Sequence, residues 1–411
     1  GRRLQRLVLS SNELSPVSGQ FLAECLSGKA CGQLERLDLA NNPLQASGIY
    51  FLAELLKTGL PSLRVLDLEY TDVRSEGAGY LSEAILTGIP LRRLELSGCR
   101  LGAQGAAQLA TALRAPEGCR LERLGLRGNA IEDEGITVLA NSILEVAERC
   151  REFERSQRIS IRHSFVARNS DVGSPLAKGS SQLSKLPGNA NSLTPAFLAQ
   201  LTELDVSQNR LGLFGADALG AALTGAAKAQ LTSLDVSRNC FGRSGIAALA
   251  AGLDEGCKLQ HLSLCATKMG DGGAEAVAAA LLKGPKNLVW LQVQENRIGC
   301  RGLELLMAAL KKVPTLQRLA ADGNLAPDDW PAHVIDNLVC ADRDGVTKPS
   351  MELLSPSGRC WLGWSTVQQI TSFGSLSPRF HTVLQMEEAT DGSKNVSVRR
   401  TSVLKKPEDE T

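Results

Sequence analysis

The sequence is poor in the residue types that commonly carry catalysis, metal binding or membrane insertion. Of its 411 residues, 4% are aromatic and four are histidine, and the formal net charge at pH 7 is +1. Because the charge is balanced, the sequence has no general preference for nucleic acid or an anionic membrane, and we expect neither as a partner. It also contains no run of about 20 apolar residues, so we expect no membrane-spanning helix.

Motifs of common enzyme and metal sites are missing as well. The sequence has no phosphate-binding loop of the G-x-x-x-x-G-K-S/T type, no G-x-S-x-G nucleophile turn and no H-E-x-x-H zinc motif. Its 11 cysteines are scattered without a C-x-x-C pair, a pattern typical of neither a zinc site nor a disulfide framework. We therefore predict a protein that is not an enzyme, uses no cofactor or metal, and resides in the reducing cytoplasm, with the nucleus as the alternative.

One leucine pattern, by contrast, runs along most of the chain. The unit L-x-x-L-x-L-x-x-N-x-L recurs every 28 to 30 residues, except for one longer step between Leu121 and Leu201. Its opening leucines are Leu4, Leu34, Leu63, Leu91, Leu121, Leu201, Leu231, Leu259, Leu288 and Leu316. Self-similarity at this period is the signature of a leucine-rich repeat solenoid.

Each unit predicts a strand, a turn and a helix. In the second unit, Leu37 and Leu39 alternate with polar residues, as in a strand, and Asn42 follows where its amide can bond the backbone of a turn. Leu52 and Leu56 then form an i, i+4 apolar pair, which predicts one face of a helix. One unit alone cannot bury its apolar side, so the units must stack. We predict an α/β horseshoe with a parallel β-sheet on the concave face and α-helices on the convex face.

The units have the length and the full helix of one known repeat class. Segments such as LERLDLANNPLQASGIYFLAELLKTG and LTSLDVSRNCFGRSGIAALAAGL resemble the ribonuclease-inhibitor-like leucine-rich repeats. That class includes ribonuclease inhibitor, the sensor arrays of NACHT-containing immune receptors and the Ran GTPase-activating protein. The resemblance covers residues 1 to about 342, apart from one insertion. It implies a non-catalytic scaffold that binds a protein partner, of unknown identity, on its concave face.

Two narrower functions stay open at this point. The resemblance also suits a regulator of a small GTPase, and it suits the sensor part of a NACHT-type receptor. The sequence departs from the Ran GTPase-activating protein because it lacks that family's long acidic segment after the repeats; its tail has only Glu408, Asp409 and Glu410. The first repeat has no polar cap and no initiator methionine before it, so we expect the chain to be a fragment.

The repeats fall into two blocks with an insertion between them. Repeats 1–5 occupy residues 1–146 and repeats 6–10 occupy residues 197–342. The insertion, residues 147–196, is rich in Arg and then in Ser, and we expect it to be flexible, with the fifth helix ending near Ile143. Two alternatives are a degenerate repeat near residues 159–172 and a basic arm that docks an acidic partner.

After the tenth repeat, residues 343–411 lack periodicity and are expected to form a disordered tail. The tail carries candidate phosphorylation sites at Ser355, Ser377 and Ser402. It also contains Trp361 and Trp364, which suit either a docking motif or a cover for the end of the last repeat.

A partner would meet the side chains two, four and six positions after each opening leucine, because these point away from the core. In the first half they form a row of Arg beside a row of Asp and Glu, whereas the second half is less charged. A large aromatic on an exposed strand is the residue type that anchors interfaces, so Trp290 is the leading candidate. The full set of candidate partner-binding residues is Trp290, His261, Gln292, Tyr70, Glu69, Arg36, Arg93 and Arg123. The alternative for the charged rows is that they only neutralise each other.

Overall fold

The computed structural model describes residues 4–28, 31–115, 119–170, 201–224, 229–321, 323–325, 351–354 and 359–362, with the backbone alone at 153–154, 156–170, 351–354 and 359–362. The strands of the main sheet are β1 (Arg6–Val8), β2 (Arg36–Asp38), β3 (Val65–Asp67), β4 (Arg93–Glu95), β5 (Arg123–Gly125), β6 (Glu203–Asp205), β7 (Ser233–Asp235), β8 (His261–Ser263), β9 (Trp290–Gln292) and β10 (Arg318–Ala320). The helices are α1 (Pro16–Leu26), α2 (Gln45–Thr58), α3 (Arg74–Leu86), α4 (Gly102–Leu113), α5 (Glu132–Ser170), α6 (Leu213–Leu223), α7 (Gly242–Ala251), α8 (Gly270–Lys283) and α9 (Cys300–Lys312).

The ten strands form one parallel sheet whose order follows the chain from β1 to β10. The register is constant, so that Leu37 lies opposite Leu66, and Leu66 lies opposite Leu94. Each strand places its central leucine toward the helices and its first and third residues on the opposite, concave face. The predicted leucine-rich repeat horseshoe is therefore confirmed.

The leucines of the repeat pattern form a continuous core between the sheet and the helices. Leu37 and Leu66 on the strands, and Leu52 and Leu81 on the helices, are each 1% exposed. Burying one such side chain contributes about 2 kcal/mol, and each unit shares its buried surface with both neighbours. The helices approach closely: a Cβ added at Gly19 would lie 2.9 Å from the Cα of Gly48, which only glycine avoids.

A ladder of polar side chains runs through the turns that follow the strands. Asn42 is typical: its Oδ1 accepts hydrogen bonds from the backbone N–H groups of Asn12 (2.9 Å) and Leu14 (3.0 Å), and its Nδ2 donates to the carbonyls of Leu9 (2.9 Å) and Leu39 (2.8 Å). Each asparagine therefore fixes the turn of the repeat before it. The buried members of the ladder are Asn42, Thr71, Cys99, Asn129, Asn209, Asn239, Thr267, Asn296 and Asn324.

Helix α5 differs from the prediction, because it does not end near Ile143 but continues to Ser170. The first part of the insertion is thus helical rather than a loop, and residues 159–170 form no degenerate repeat. Glu, Arg and Gln, which favour helices, dominate the segment just after the buried core, and Glu148 and Arg151 form an i, i+3 ion pair at 3.9 Å. β5 pairs directly with β6, so the insertion adds no rung to the sheet. Residues 171–196 lie outside the described residues.

The expectation of a disordered tail is also wrong in one place. Met351–Leu354 (β11) and Arg359–Leu362 (β12) pair as antiparallel strands, and β12 lies close to β10. The sequence S-P-S-G between two apolar runs is a turn signal that lies outside the 28-residue repeat pattern. The helical positions of the tenth repeat, the candidate phosphorylation sites Ser355, Ser377 and Ser402, and Trp364 lie outside the described residues.

Among the residues the structure describes, no helix is both long enough and apolar enough to cross a lipid bilayer.

Candidate binding surface on the concave sheet

Five repeats, those of β2, β3, β4, β6 and β7, place carboxylates at the same level of the concave sheet, whereas β5 has Gly125 there. Asp38 lies opposite Asp67, Asp67 lies opposite Glu95, and Asp205 lies opposite Asp235 in the strand register. Adjacent parallel strands are about 4.8 Å apart, so each of these side chains stands next to another acid. We call the side chains of Asp38, Asp67, Glu95, Asp205 and Asp235 the acidic band.

The acidic band is half-buried, and burial raises the pKa of three of its carboxylates. Burial raises the pKa of Asp67 to about 6, and the nearby charges of Glu69, Asp38 and Glu95 add to the rise. Burial likewise raises the pKa of Glu95 and of Asp235, where the charge of Asp205 contributes. The concave face thus holds closely spaced carboxylates, although both desolvation and their mutual repulsion oppose the charged forms.

Arg123 lies within the acidic band and pairs with two repeats at once. Its Nε donates to Glu95 Oε1 and its Nη1 donates to Glu203 Oε2 at 2.8 Å. Although burial opposes the charged form, these carboxylates raise the pKa of the guanidinium. Gly125 makes room for the pair, because a Cβ there would lie 1.9 Å from Glu95 Oε2. The predicted binding residue Arg123 therefore also joins the repeats on either side of the insertion.

The other two predicted arginines are more accessible. Arg36 and Arg93 are exposed on β2 and β4, and the Nη2 of Arg36 lies 3.7 Å from Asp38 Oδ2. An exposed pair at this distance contributes little to stability. The alternative that the two charged rows only neutralise each other thus fits Arg123, which is paired with two carboxylates, but fits Arg36 only weakly. Both exposed arginines remain predicted partner contacts.

Trp290 and two of its neighbours form a second area near the end of the sheet. The strand register places His261 and Arg318 on either side of Trp290. The His261 and Trp290 rings meet edge to face with centroids 6.0 Å apart, and Arg318 Cζ lies 6.0 Å from the Trp290 ring centroid. Such contacts fix the indole of a half-buried tryptophan while its free edge stays accessible. We call His261, Trp290 and Arg318 the tryptophan patch; Gln292 follows it on β9.

Tyr70 and Glu69 lie at the rim of the acidic band. Tyr70 is 56% exposed and has a left-handed φ of 54° in the turn after β3. Its ring covers Gly98 of the next repeat, where an added Cβ would lie 2.4 Å away. Glu69 Oε1 accepts a hydrogen bond from Ser97 Oγ at 2.8 Å. Tyr70 and the tryptophan patch are six strands apart, roughly 29 Å along the sheet.

The sequence candidates therefore form two areas and not one site. Arg36, Glu69, Tyr70, Arg93 and Arg123 gather around the acidic band, whereas His261, Gln292 and Trp290 lie together near β9. The candidate list omitted the carboxylates of the band itself and Arg318, although their column positions could be read from the repeat pattern. Within the described part of the chain, no group of three or more His, Cys, Asp or Glu side chains could hold a metal ion.

This geometry defines a leucine-rich repeat solenoid with a charged concave surface. The family described as Leucine Rich repeat matches residues 59–82, 89–110, 119–140 and 229–250. Ribonuclease inhibitor of Mus musculus is 29% identical over 141 residues, which is 34% of this chain and 30% of that protein. These matches support a ribonuclease-inhibitor-like leucine-rich repeat protein, and the matched segment spans less than a third of the length of that relative.

Two solved structures are among those to which the chain is similar. The leucine-rich repeat-containing protein LegL7 from Legionella pneumophila has a TM-score of 0.42 and 17% identity, covering 81% of this chain and 88% of its own. The crystal structure of a TLR13–ssRNA13 complex has a TM-score of 0.38 and 14% identity, covering 76% of this chain and 39% of its own.

Proposed function

We propose that this chain is a non-catalytic protein-interaction scaffold that binds a protein partner on its concave face. Leucine-rich repeat proteins of this type are interaction scaffolds in general and are generally non-catalytic. The observation that carries the proposal is the acidic band. The core needs no charge on this face, yet half-buried carboxylates stand side by side across several repeats.

The chemistry of the partner follows from the acidic band. Burial and neighbouring acids raise the pKa of Asp67 to about 6, so ionising this carboxyl costs more free energy than it does in water. Lys or Arg side chains of a partner would stabilise these carboxylates and speed encounter at low ionic strength. A protein with a basic surface is the partner that fits.

The tryptophan patch supplies the apolar contact that the acidic band lacks. Trp290 is half-buried and held by His261 and Arg318, so little conformational freedom remains for binding to remove. Tryptophan and arginine are the residue types most enriched among energetically dominant interface positions. We expect a partner that spans both areas, about 29 Å apart at the level of Tyr70 and Trp290.

The test compares Trp290→Ala with Phe214→Ala in affinity capture followed by mass spectrometry. Phe214 is an aromatic residue that is 75% exposed near the start of α6, away from the concave strands, and serves as the matched control. We expect Trp290→Ala to lose partners that the wild type and Phe214→Ala retain. Identical partner sets for all three proteins would argue against this face.

The acidic band has a test of its own. Replacing Asp38, Asp205 and Asp235 together by Asn keeps side-chain size and removes three charges. The captured partners should then elute at lower salt than from the wild type, because fewer ion pairs oppose dissociation. Elution at the same salt concentration would exclude a basic partner on the band.

Two narrower functions remain predictions from the resemblance. A regulator of a small GTPase would accelerate GTP hydrolysis when added to a GTPase of the Ran class, and an unchanged rate would remove that option. A role as the sensor part of a NACHT-type receptor would require a nucleotide-binding module in the same polypeptide.

We also propose a cytoplasmic location, with the nucleus as the alternative. Cys99, Cys119 and Cys257 are buried free thiols packed in the core, which suits a reducing compartment. Imaging of the tagged chain tests the proposal, and accumulation in a secretory compartment would contradict it.

A further inference from the structure

One edge of the array concentrates exposed cations in three neighbouring repeats. This edge consists of the turns after the strands and the first turns of the helices, nine to thirteen residues after each opening leucine. In the repeats of β7, β8 and β9, these positions hold Arg243, Lys268, Arg297 and Arg301, and all four side chains are exposed. We call these four side chains the basic edge.

The described carboxylates compensate little of this charge. Of the four cations, all but Arg301 form no ion pair with a described residue, and Arg301 Nη2 lies 3.9 Å from Glu275 Oε2 with both side chains more than half exposed. An exposed pair at that distance contributes little. The acid that these positions contain, Asp271, is bound internally: its Oδ1 accepts hydrogen bonds from the backbone N–H groups of Gly299 (2.7 Å) and Gly302 (3.1 Å).

The same edge is built differently in the repeats of β3 to β5. There Arg74 Nη2 lies 2.7 Å from Asp72 Oδ2, and Arg100 Nη1 lies 3.3 Å from Asp72 Oδ1. Glu132 and Glu134 add further exposed acids at the start of α5. Because the positions are structurally equivalent in every repeat, the fold itself does not require unpaired cations in the repeats of β7 to β9.

Glycines leave open space between these cations. A Cβ added at Gly242 or at Gly270 would meet no atom within 4 Å, and the backbone there has left-handed φ values of 59° and 58°. Arg243 extends over Gly272 of the next repeat, where an added Cβ would lie 2.5 Å from its Cδ and Nε. An extended chain can therefore come close to the backbone of this edge and still meet the cations.

The surroundings of the basic edge favour carboxylates over nucleic acid. Proteins that hold single-stranded nucleic acid combine cations with exposed aromatic rings on which the bases stack. At the edge positions of these three repeats the aromatic residue is Phe241, which is 4% exposed and offers no free ring face. Arginine forks bind carboxylates in a bidentate manner, and clusters of arginine recognise acidic motifs.

We propose that the basic edge docks an acidic segment of a protein, an extended stretch rich in Asp and Glu. Neighbouring strands are about 4.8 Å apart and packed helices roughly 8–10 Å apart, so the three repeats span about 10 Å at the strands and about 20 Å at the helices. An extended chain advances about 3.3 Å per residue, so a stretch of about six residues would cover the edge. This surface is opposite in charge to the acidic band and does not depend on a partner on the concave face.

The test measures the binding of two labelled probes to the full chain by fluorescence anisotropy at low ionic strength. One probe is a peptide of alternating Glu and Ser, and the other is oligothymidylate with the same number of negative charges. Lys268→Glu together with Arg297→Glu reverses two charges of the basic edge. The matched control, Lys258→Glu together with Lys286→Glu, reverses two exposed lysines just before β8 and β9, on the opposite edge.

We expect the control variant to bind the peptide nearly as tightly as the wild type. The variant of the basic edge should bind it at least about tenfold more weakly, because two cations that faced its carboxylates are replaced by acids that repel them. Equal affinities of the two variants, or no binding of the peptide to the wild type, would overturn the inference.

A neutral variant keeps the test valid if the charge reversal lowers the urea midpoint. Lys268→Gln together with Arg297→Gln removes the cations without adding acids and should weaken peptide binding about threefold; unchanged binding would contradict the proposal. Oligothymidylate that binds more tightly than the peptide, and loses affinity on the same reversal, would assign the basic edge to nucleic acid instead. In sedimentation velocity at low salt, a dimer that the reversal abolishes would assign it to a second copy and overturn the inference, whereas a monomer supports it.

Discussion

Asn129 offers the most direct test of how the repeats are held together. It is 1% exposed and sits at the turn after β5, just before the insertion. Its Oδ1 accepts from the N–H groups of Cys99 (2.8 Å) and Leu101 (3.3 Å), and its Nδ2 donates to the carbonyls of Leu96 (2.8 Å) and Leu126 (2.9 Å). Asn129→Ala removes these four bonds, and a longer one from Nδ2 to the carbonyl of Arg127 (3.3 Å), and leaves the four backbone groups in an apolar core.

The magnitude follows from those four groups. A net intramolecular hydrogen bond contributes about 1 kcal/mol, and an orphaned buried N–H costs more than a carbonyl that retains another donor. The carbonyl of Leu126 keeps the Nδ2 of Asn209 at 2.8 Å, so its loss is the smallest. We expect Asn129→Ala to lower the free energy of unfolding by about 4 kcal/mol.

The chain supplies its own matched comparison, because threonine occupies the same ladder position elsewhere. Thr71 Oγ1 donates to the carbonyl of Leu68 at 2.6 Å and Thr267 Oγ1 donates to that of Leu264 at 2.9 Å. Asn129→Thr should restore the equivalent bond to Leu126 but not the other three, so it should lose up to about 1 kcal/mol less stability than Asn129→Ala.

Urea unfolding followed by circular dichroism measures both losses, and hydrogen exchange at the amides of Cys99 and Leu101 locates them. Exchange should quicken there in Asn129→Ala and less at Asn42, several rungs away. The reasoning would be refuted by a loss below about 1 kcal/mol for alanine, or by threonine being no better than alanine.

Two further predictions concern the acidic band. Arg123→Met keeps most of the side-chain volume but leaves half-buried Glu95 without its cation, so it should lower the free energy of unfolding by about 2 kcal/mol. Arg93→Met, at the exposed neighbouring position, should change that free energy by less than about 0.5 kcal/mol. Equal urea midpoints for the two variants would contradict the structural role of Arg123. Burial raises the pKa of Asp67 from 3.8 to about 6, so the folded protein binds this proton more tightly than the unfolded chain, and stability should fall as the pH rises through that window. In Asp67→Asn, the Oδ1 can still accept a hydrogen bond from the backbone N–H of Glu69. This variant should be about 1 kcal/mol more stable than the wild type near pH 7 and nearly equal to it near pH 4. If urea unfolding at a series of pH values shows no such convergence, the raised pKa of Asp67 is not the cause of the pH dependence.

The junction at the insertion shows how the array tolerates extra chain. Between β5 and β6 the sequence step is 80 residues, yet Leu124 lies opposite Leu204 in the ordinary register. Asn209 Oδ1 accepts from the N–H of Asn129 at 2.9 Å, and Arg123 pairs with Glu203. The entropic cost of closing a long connection grows only with the logarithm of its length. The contacts between the two repeats that it joins are kept in full, so the array tolerates the extra chain.

Much of the fold was available from the sequence because the repeat is a local rule. A period of 28 to 30 residues with fixed leucine, asparagine and helix positions specifies what each unit buries, and Leu37, Leu66 and Leu94 stack as the pattern predicts. The same rule identified which side chains face the concave side, including Trp290. It could not identify the end of α5, because helix-favouring residues continue beyond the last buried position and no repeat limits them.

The sequence by itself thus determined the architecture, since periodic burial leaves one way to stack the units. The tertiary structure decided which charges meet: that Arg123 pairs with Glu95 and Glu203 across the insertion, and that Asp67 stands between Asp38 and Glu95 in a half-buried row. These relations join residues from different units, and their energies depend on distance and burial, which residue identity alone does not give.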